Sequence, residues 1–108
     1  MKDFKLGEFE EIVLLTVAVL HGEAYGVSIR MDIESRLNRK VSVGAMQTAL
    51  RRMEEKGYLS SEFGEATQER GGKRKRYFTI TAHGKSALQE TKDARLMLWE
   101  AIPKVVLE

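Results

Sequence analysis

The chain has no cysteine, which excludes disulfides, iron–sulfur clusters and thiolate zinc sites. It has two histidines, His21 and His83, and the pattern sets no carboxylates beside them, so no metal set is expected. Long apolar runs are also missing. The longest, Ile12 to Leu20, spans nine residues and includes Thr16, well short of the roughly 20 that a membrane helix needs. The start, Met-Lys-Asp-Phe-Lys, has no apolar h-region, so no secretory signal is expected. Net charge is only +2, against 43% hydrophobic residues and a mean hydropathy of −0.34, which argues against wholesale disorder. What remains is a cytoplasmic domain of 108 residues, large enough for one core and too small for two.

The charge is unevenly placed. Residues 36–76 hold eleven Lys/Arg against five Glu, a net +6, while the rest of the chain is net −4. A basic middle between acidic flanks suits a surface that faces a polyanion, the bland alternative being a solvated basic face.

Residues 7–20 read as a helix whose second half is apolar on nearly every side, from Phe9 and Ile12 through Leu20. Such a helix belongs at the centre of the domain or at a subunit interface. His21-Gly22 ends it, His21 being favoured there by the helix dipole. A second helix covers about 25–37, with Ile29, Ile33 and Leu37 on one stripe. Ser42 is a preferred N-cap for a third, which carries Val43, Met46, Leu50 and Met53 on one face and stops at Gly57. Beyond Gly57 the period falls to two. Residues 59–63 and 77–80 read as short strands, joined by a polar loop over 64–75. Thr81 opens a last helix, which Pro103 ends near Ile102.

Three helices, a β-hairpin and a further helix follow the order of a winged helix-turn-helix. The predicted fold is mostly α (α+β), with a two-stranded wing and a C-terminal helix. Its segments are residues 1–80 for DNA binding and 81–108 for dimerisation, in one compact unit. The third helix opens with Ser42, Gly44 and Ala45, small enough for close approach to a groove. It then presents Gln47, Thr48, Arg51 and Arg52 opposite its core face. Gln pairs with adenine and Arg with guanine edges, and Thr bonds or touches a thymine methyl. The hairpin loop offers Arg70, Gly71, Gly72, Lys73, Arg74, Lys75 and Arg76, which suits a wing on the phosphate backbone or in a minor groove. The competing reading is surface decoration, with Arg51 or Arg52 merely paired to Glu55. Gly71-Gly72-Lys73 lacks the spacing of a P-loop.

Several motifs occur here in order: Leu6-Gly7-Glu8-Phe9-Glu10, Ala24-Tyr25-Gly26-Val27, Ser42 to Met46, Leu50 to Gly57, Glu69 to Phe78 and Thr81-Ala82-His83-Gly84. Together they resemble the PadR family of transcriptional regulators over about residues 6–90. The resemblance implies a homodimeric repressor on a pseudo-palindromic double-stranded DNA operator, with the C-terminal helix packed on the partner's first helix. On that pattern the interface takes in Phe9, Val13, Ala94, Leu98, Ala101, Ile102 and Val105. The chain departs from the family with Gln47 where a Tyr is common, and with Thr81-Ala82 where Thr-Pro is common. In some smaller members an aromatic on the last helix lines a pocket between subunits and stacks on planar drugs. Trp99 is the candidate here, with Met97 as an adaptable wall and a small aromatic effector as ligand.

The residues support a dimer on their own account. Ala94, Leu96 to Trp99, Ala101, Ile102 and Val105 to Leu107 give more apolar surface than one small domain covers. A winged-helix interaction module without DNA would instead need an apolar recognition face. The sequence shows no nucleophile–base motif, no metal set and no cofactor fingerprint, so neither an enzyme nor a membrane protein is expected.

Overall fold

A computed structural model describes residues 6–66 and 74–108. The sequence expectations on Arg70, Gly71, Gly72 and Lys73 fall outside the described residues.

Helix α1 (Glu8–Val19) starts at Gly7, whose N–H donates to the Glu10 carboxylate at 3.2 Å. Its first turn carries Glu8, Glu10 and Glu11, which suits the positive end of the helix dipole. Each of these carboxylates pairs with a different part of the chain: Glu8 with Arg39, Glu10 with Lys56 and Glu11 with Arg95. Val13, Leu14 and Val17 are buried at the centre of the protomer. The helix is not covered all round, however. Leu15 and Val19 remain about half exposed.

Helix α2 (Gly26–Leu37) is set by Ser28, whose hydroxyl accepts from the Tyr25 N–H and donates to the Glu23 carbonyl. Ile29 and Ile33 enter the core. Leu37, expected on the same stripe, is exposed, since the helix ends there and Asn38 turns the chain away with φ 50°. The Val41 N–H donates to Glu34, fixing the connection into helix α3 (Val43–Glu55). Ser42 caps α3 by accepting from the Ala45 N–H at 3.1 Å. Met46, Ala49, Leu50 and Met53 are buried, and Gly57, at φ +81°, lets the chain leave.

Strands β1 (Leu59–Ala66) and β2 (Arg74–Ile80) pair antiparallel, Leu59 opposite Ile80 and Phe63 opposite Arg76, with an irregularity between Phe63 and Ala66. The root of this wing is stitched to the turn before α2. The Phe78 N–H donates to the Ala24 carbonyl at 2.8 Å, and Tyr25 faces Tyr77 across an isolated bridge. Thr81 caps helix α4 (Ala82–Ala101) through the Gly84 N–H and donates its hydroxyl proton to the Gly57 carbonyl. Gly84 permits this close packing, because a Cβ there would collide with the Tyr58 carbonyl.

Gly84 and Ala87 bury the first half of α4 against the core. Every residue from Lys92 to Ala101 is exposed. At Pro103 the chain leaves the helix and forms one further turn, α5 (Lys104–Leu107). The projecting helix makes the molecule long, 58 × 32 × 22 Å. Its radius of gyration is 16.2 Å, against about 13 Å for a compact chain of this length.

Candidate nucleic-acid interface

Helix α3 divides into two faces except at its start, where Val43, expected on the core face, is 52% exposed because it lies in the first turn at the edge of the core. While Met46, Leu50 and Met53 point inward, Ser42, Gly44, Ala45, Gln47, Arg51 and Arg52 are exposed and Thr48 is half-buried. Arg51 lies 3.5 Å from Glu55, with both side chains about two-thirds exposed. Such a surface pair is worth about 0–1 kcal/mol, so a ligand can displace it cheaply. At Gly44 a Cβ would meet nothing within 4 Å. The protein itself therefore does not require a glycine there.

The wing differs from expectation at one point. Arg74, Lys75 and Arg76 belong to strand β2 rather than to the loop. The alternation was hidden because cations stand on both faces of the strand. Aromatic rings hold them in place: the Arg74 guanidinium lies 5.7 Å from the Phe63 centroid, and Arg76 lies 5.6 Å from Phe63 and 5.7 Å from Phe78. On the other face the Lys75 ammonium sits 4.4 Å over Tyr25, whose ring meets Tyr77 edge-on at 5.6 Å.

These groups converge. Gln47 and Arg51 from α3, Arg30 from α2, and Arg74, Lys75 and Arg76 from β2 line one cleft of about 540 Å³. Ser42, Gly44, Ala45, Thr48 and Arg52 stand outside its wall on the same helix. Arg30, Tyr25 and Glu54 also line the cleft and were not expected there from the sequence. Arg30 had a signal, as a cation on the polar side of α2. The other two depend on partners far along the chain.

A second cavity, about 630 Å³, lies between α1, β2 and α4. Leu15, Ala18, Leu88, Leu96 and Trp99 give it apolar walls, and the Glu11–Arg95 pair, at 2.7 Å, stands in its lining. Trp99 thus lines a cavity, whereas Met97 is 73% exposed and is not part of the wall. Of the residues expected at a subunit contact, Ala94, Leu98, Ala101 and Val105 are exposed and Ile102 is half-buried. Val13 is a correction: it is wholly buried in its own protomer and offers a partner no surface. Phe9 is half-buried, with the Arg39 guanidinium 5.5 Å from its ring. No helix of the described residues is long and apolar enough to cross a membrane.

A capped recognition-type helix beside a hairpin rich in cations, on a three-helix core, defines a winged helix-turn-helix protein. The model of the transcriptional regulator PadR-like family matches residues 14–90. The chain belongs to that family of DNA-binding transcriptional regulators. Similar solved structures include a PadR-like transcription factor from Bacteroides fragilis, 29% identical, with a TM-score of 0.72 over 85% of this chain and 84% of that one. A PadR family transcription regulator from Clostridium difficile R20291 is 26% identical, with a TM-score of 0.67 over 88% and 97%. A PadR-like transcriptional regulator from Bacillus cereus shares the fold, with a TM-score of 0.73 over 93% and 92% at 20% identity. No curated protein gives a significant match.

Proposed function

We propose that the chain is a homodimeric repressor that reads a pseudo-palindromic operator with α3. The observation that carries this reading is the cleft in which Gln47 and Arg51 share one concave wall with the cations of β2. Ser42, Gly44 and Ala45 let the start of α3 approach the major groove. Gln47, Thr48, Arg51 and Arg52 read or flank base edges. Arg74 and Lys75, with Arg70 and Lys73, take phosphates.

The dimer is supported by the open half of α4, where Leu96, Met97, Leu98 and Trp99 are all at least about half exposed. A patch of this kind on so small a protein marks a protein contact. Pairing through Ala94, Leu98, Ala101, Ile102 and Val105, with Phe9 and the uncovered side of α1, sets two α3 helices roughly 34–36 Å apart, one turn of DNA. The cavity beside Trp99 would hold a small planar effector. Lys85 and Lys92 on its lining, where Glu11 is already paired with Arg95, favour one that carries negative charge.

Gel shifts with fragments selected from genomic DNA, at two salt concentrations, test the reading. Retention of selected fragments at the higher salt, with random DNA released, is the expected result. Equal salt-dependent loss of both would overturn sequence reading. Sedimentation that stays monomeric at all concentrations would overturn the dimer. Trp99 fluorescence unmoved by micromolar planar dyes of either charge would overturn the effector site.

A further inference from the structure

A surface built to bind a polyanion gains nothing from a carboxylate, yet the half-buried Glu54 lines the same cleft as Arg30, Arg51, Arg74, Lys75 and Arg76. Its surroundings account for it. One Glu54 oxygen accepts from the Arg76 guanidinium at 3.0 Å, and the other accepts from the Ser61 hydroxyl at 2.6 Å. The Ser61 oxygen in turn accepts from the Arg76 Nε at 2.9 Å. The three side chains close a ring, and each comes from a different element: Glu54 from the end of α3, Ser61 from β1 and Arg76 from β2. The rings of Phe63 and Phe78 hold the same guanidinium. Arg51, one turn earlier on α3, is paired with Glu55 instead, so the Glu54 carboxylate is committed to the wing.

We propose that Glu54 is a specificity-determining positioning residue: through Arg76 and Ser61 it docks the wing on the recognition helix and withholds one cation from indiscriminate phosphate contact. The proposal rests on the DNA-binding reading of the cleft. Non-specific binding counts available cations and tolerates any wing angle. Operator binding needs base-reading and phosphate-holding groups in register at once, so a fixed angle favours it. A carboxylate that occupies Arg76 lowers the first term and protects the second. A planar guanidinium is required for this, because only its fork reaches Ser61 and Glu54 together.

The test compares Glu54→Gln, Ser61→Ala and Ser61→Thr with the unaltered protein, on a selected operator fragment and on random duplex of equal length. In Glu54→Gln, Arg76 loses its ion pair and is left with neutral acceptors only, so a phosphate can take it. Random-duplex affinity should rise about fivefold at 0.15 M salt, and the salt slope should steepen by about 0.9, the signature of one added phosphate contact. Operator affinity should not rise in step, so the ratio of operator to random binding falls. Ser61→Ala should lower the ratio less, and Ser61→Thr, which keeps the hydroxyl, should restore it. Thermal unfolding reports whether each variant is folded, and Ser61→Ala carries the test if Glu54→Gln is not. An unchanged ratio in both Glu54→Gln and Ser61→Ala would overturn the proposal, as would an unchanged salt slope in folded Glu54→Gln. Arg74→Gln with Lys75→Gln serves as the reference for the reading beneath it. If that pair leaves DNA binding intact, the cleft is not the DNA surface and both ideas fall. If it weakens binding while the Glu54 and Ser61 variants keep the ratio, only the present proposal falls.

Discussion

Two open surfaces among the described residues, the outer face of α3 and the second half of α4, are built from opposite materials. The outer face of α3 is Gly, Ala, Gln, Thr and Arg, held rigidly by a helix whose other face is sealed in the core. The second half of α4 carries Leu96, Met97, Leu98 and Trp99, all at least about half exposed. A hydrated polyanion needs short polar side chains and cations at fixed positions, because it is bound without being stripped of all its water. A second protein surface needs apolar area, because burial drives the contact at about 25 cal/mol per Å². The two proposed partners, a duplex and a second copy of the chain, match these two materials, and the contrast is open to direct attack.

The largest effect should come from charging the apolar surface. On an isolated exposed helix, Leu98→Glu would change stability by no more than about 0.5 kcal/mol. At the centre of a two-fold contact it places two carboxylates against each other in an apolar setting. The expected outcome is a folded monomer by sedimentation, with unchanged helical content by circular dichroism and at least about a hundredfold loss of operator affinity, since linked half-sites then bind singly. Leu14→Ala supplies the contrast. Leu14 is wholly buried in the protomer, so truncation should cost about 2–5 kcal/mol of folding stability. A variant that lost dimerisation and folding together at Leu98 would erase the distinction between the two surfaces.

A smaller effect is expected at the wing. Arg74→Gln and Lys75→Gln each remove one phosphate partner, so each should flatten the log–log salt dependence by about 0.9 and lower affinity for every duplex about fivefold at 0.15 M salt. Gln47→Ala should behave otherwise, costing about 1–3 kcal/mol on the preferred site and far less on random DNA. Equal losses on both duplexes would remove Gln47 from the readers and leave α3 as a positioning element.

Much of this was legible because its causes are local. Ser42 caps α3 and Thr81 caps α4 through a hydroxyl and an N–H three residues on. Gly57 and Pro103 act through their own backbone chemistry. The stripe of Met46, Leu50 and Met53 follows from helical spacing alone. Apart from Arg30, the unread features depend on distant partners. Arg74 to Arg76 form a strand because Ala66 and Phe63 lie across from them, and a run of cations shows no alternation of hydropathy. Tyr25 joins the cleft through Tyr77 and Lys75, and Glu54 through Arg76, 22 residues on. Val13 and Leu15, two positions apart on one apolar helix, are assigned to core and to open side only by how α1 sits on its neighbours.

The smallest expected effect is also the most discriminating, because stability and function should move in opposite directions. Gly44 occupies the first turn of α3, where a Cβ would touch nothing in the protomer. Alanine restricts the unfolded chain and favours the helix, so Gly44→Ala should raise folding stability by about 0.5–1 kcal/mol. If the start of α3 lies against the groove, the added methyl enters the space the duplex must occupy, and operator affinity should fall severalfold while the unfolding midpoint rises. Polyanion contact through the wing alone would leave binding untouched by the same methyl. A gain in both stability and affinity would mean that the groove is read from farther along the helix, at Gln47 and Arg51, with its first turn standing clear of the DNA.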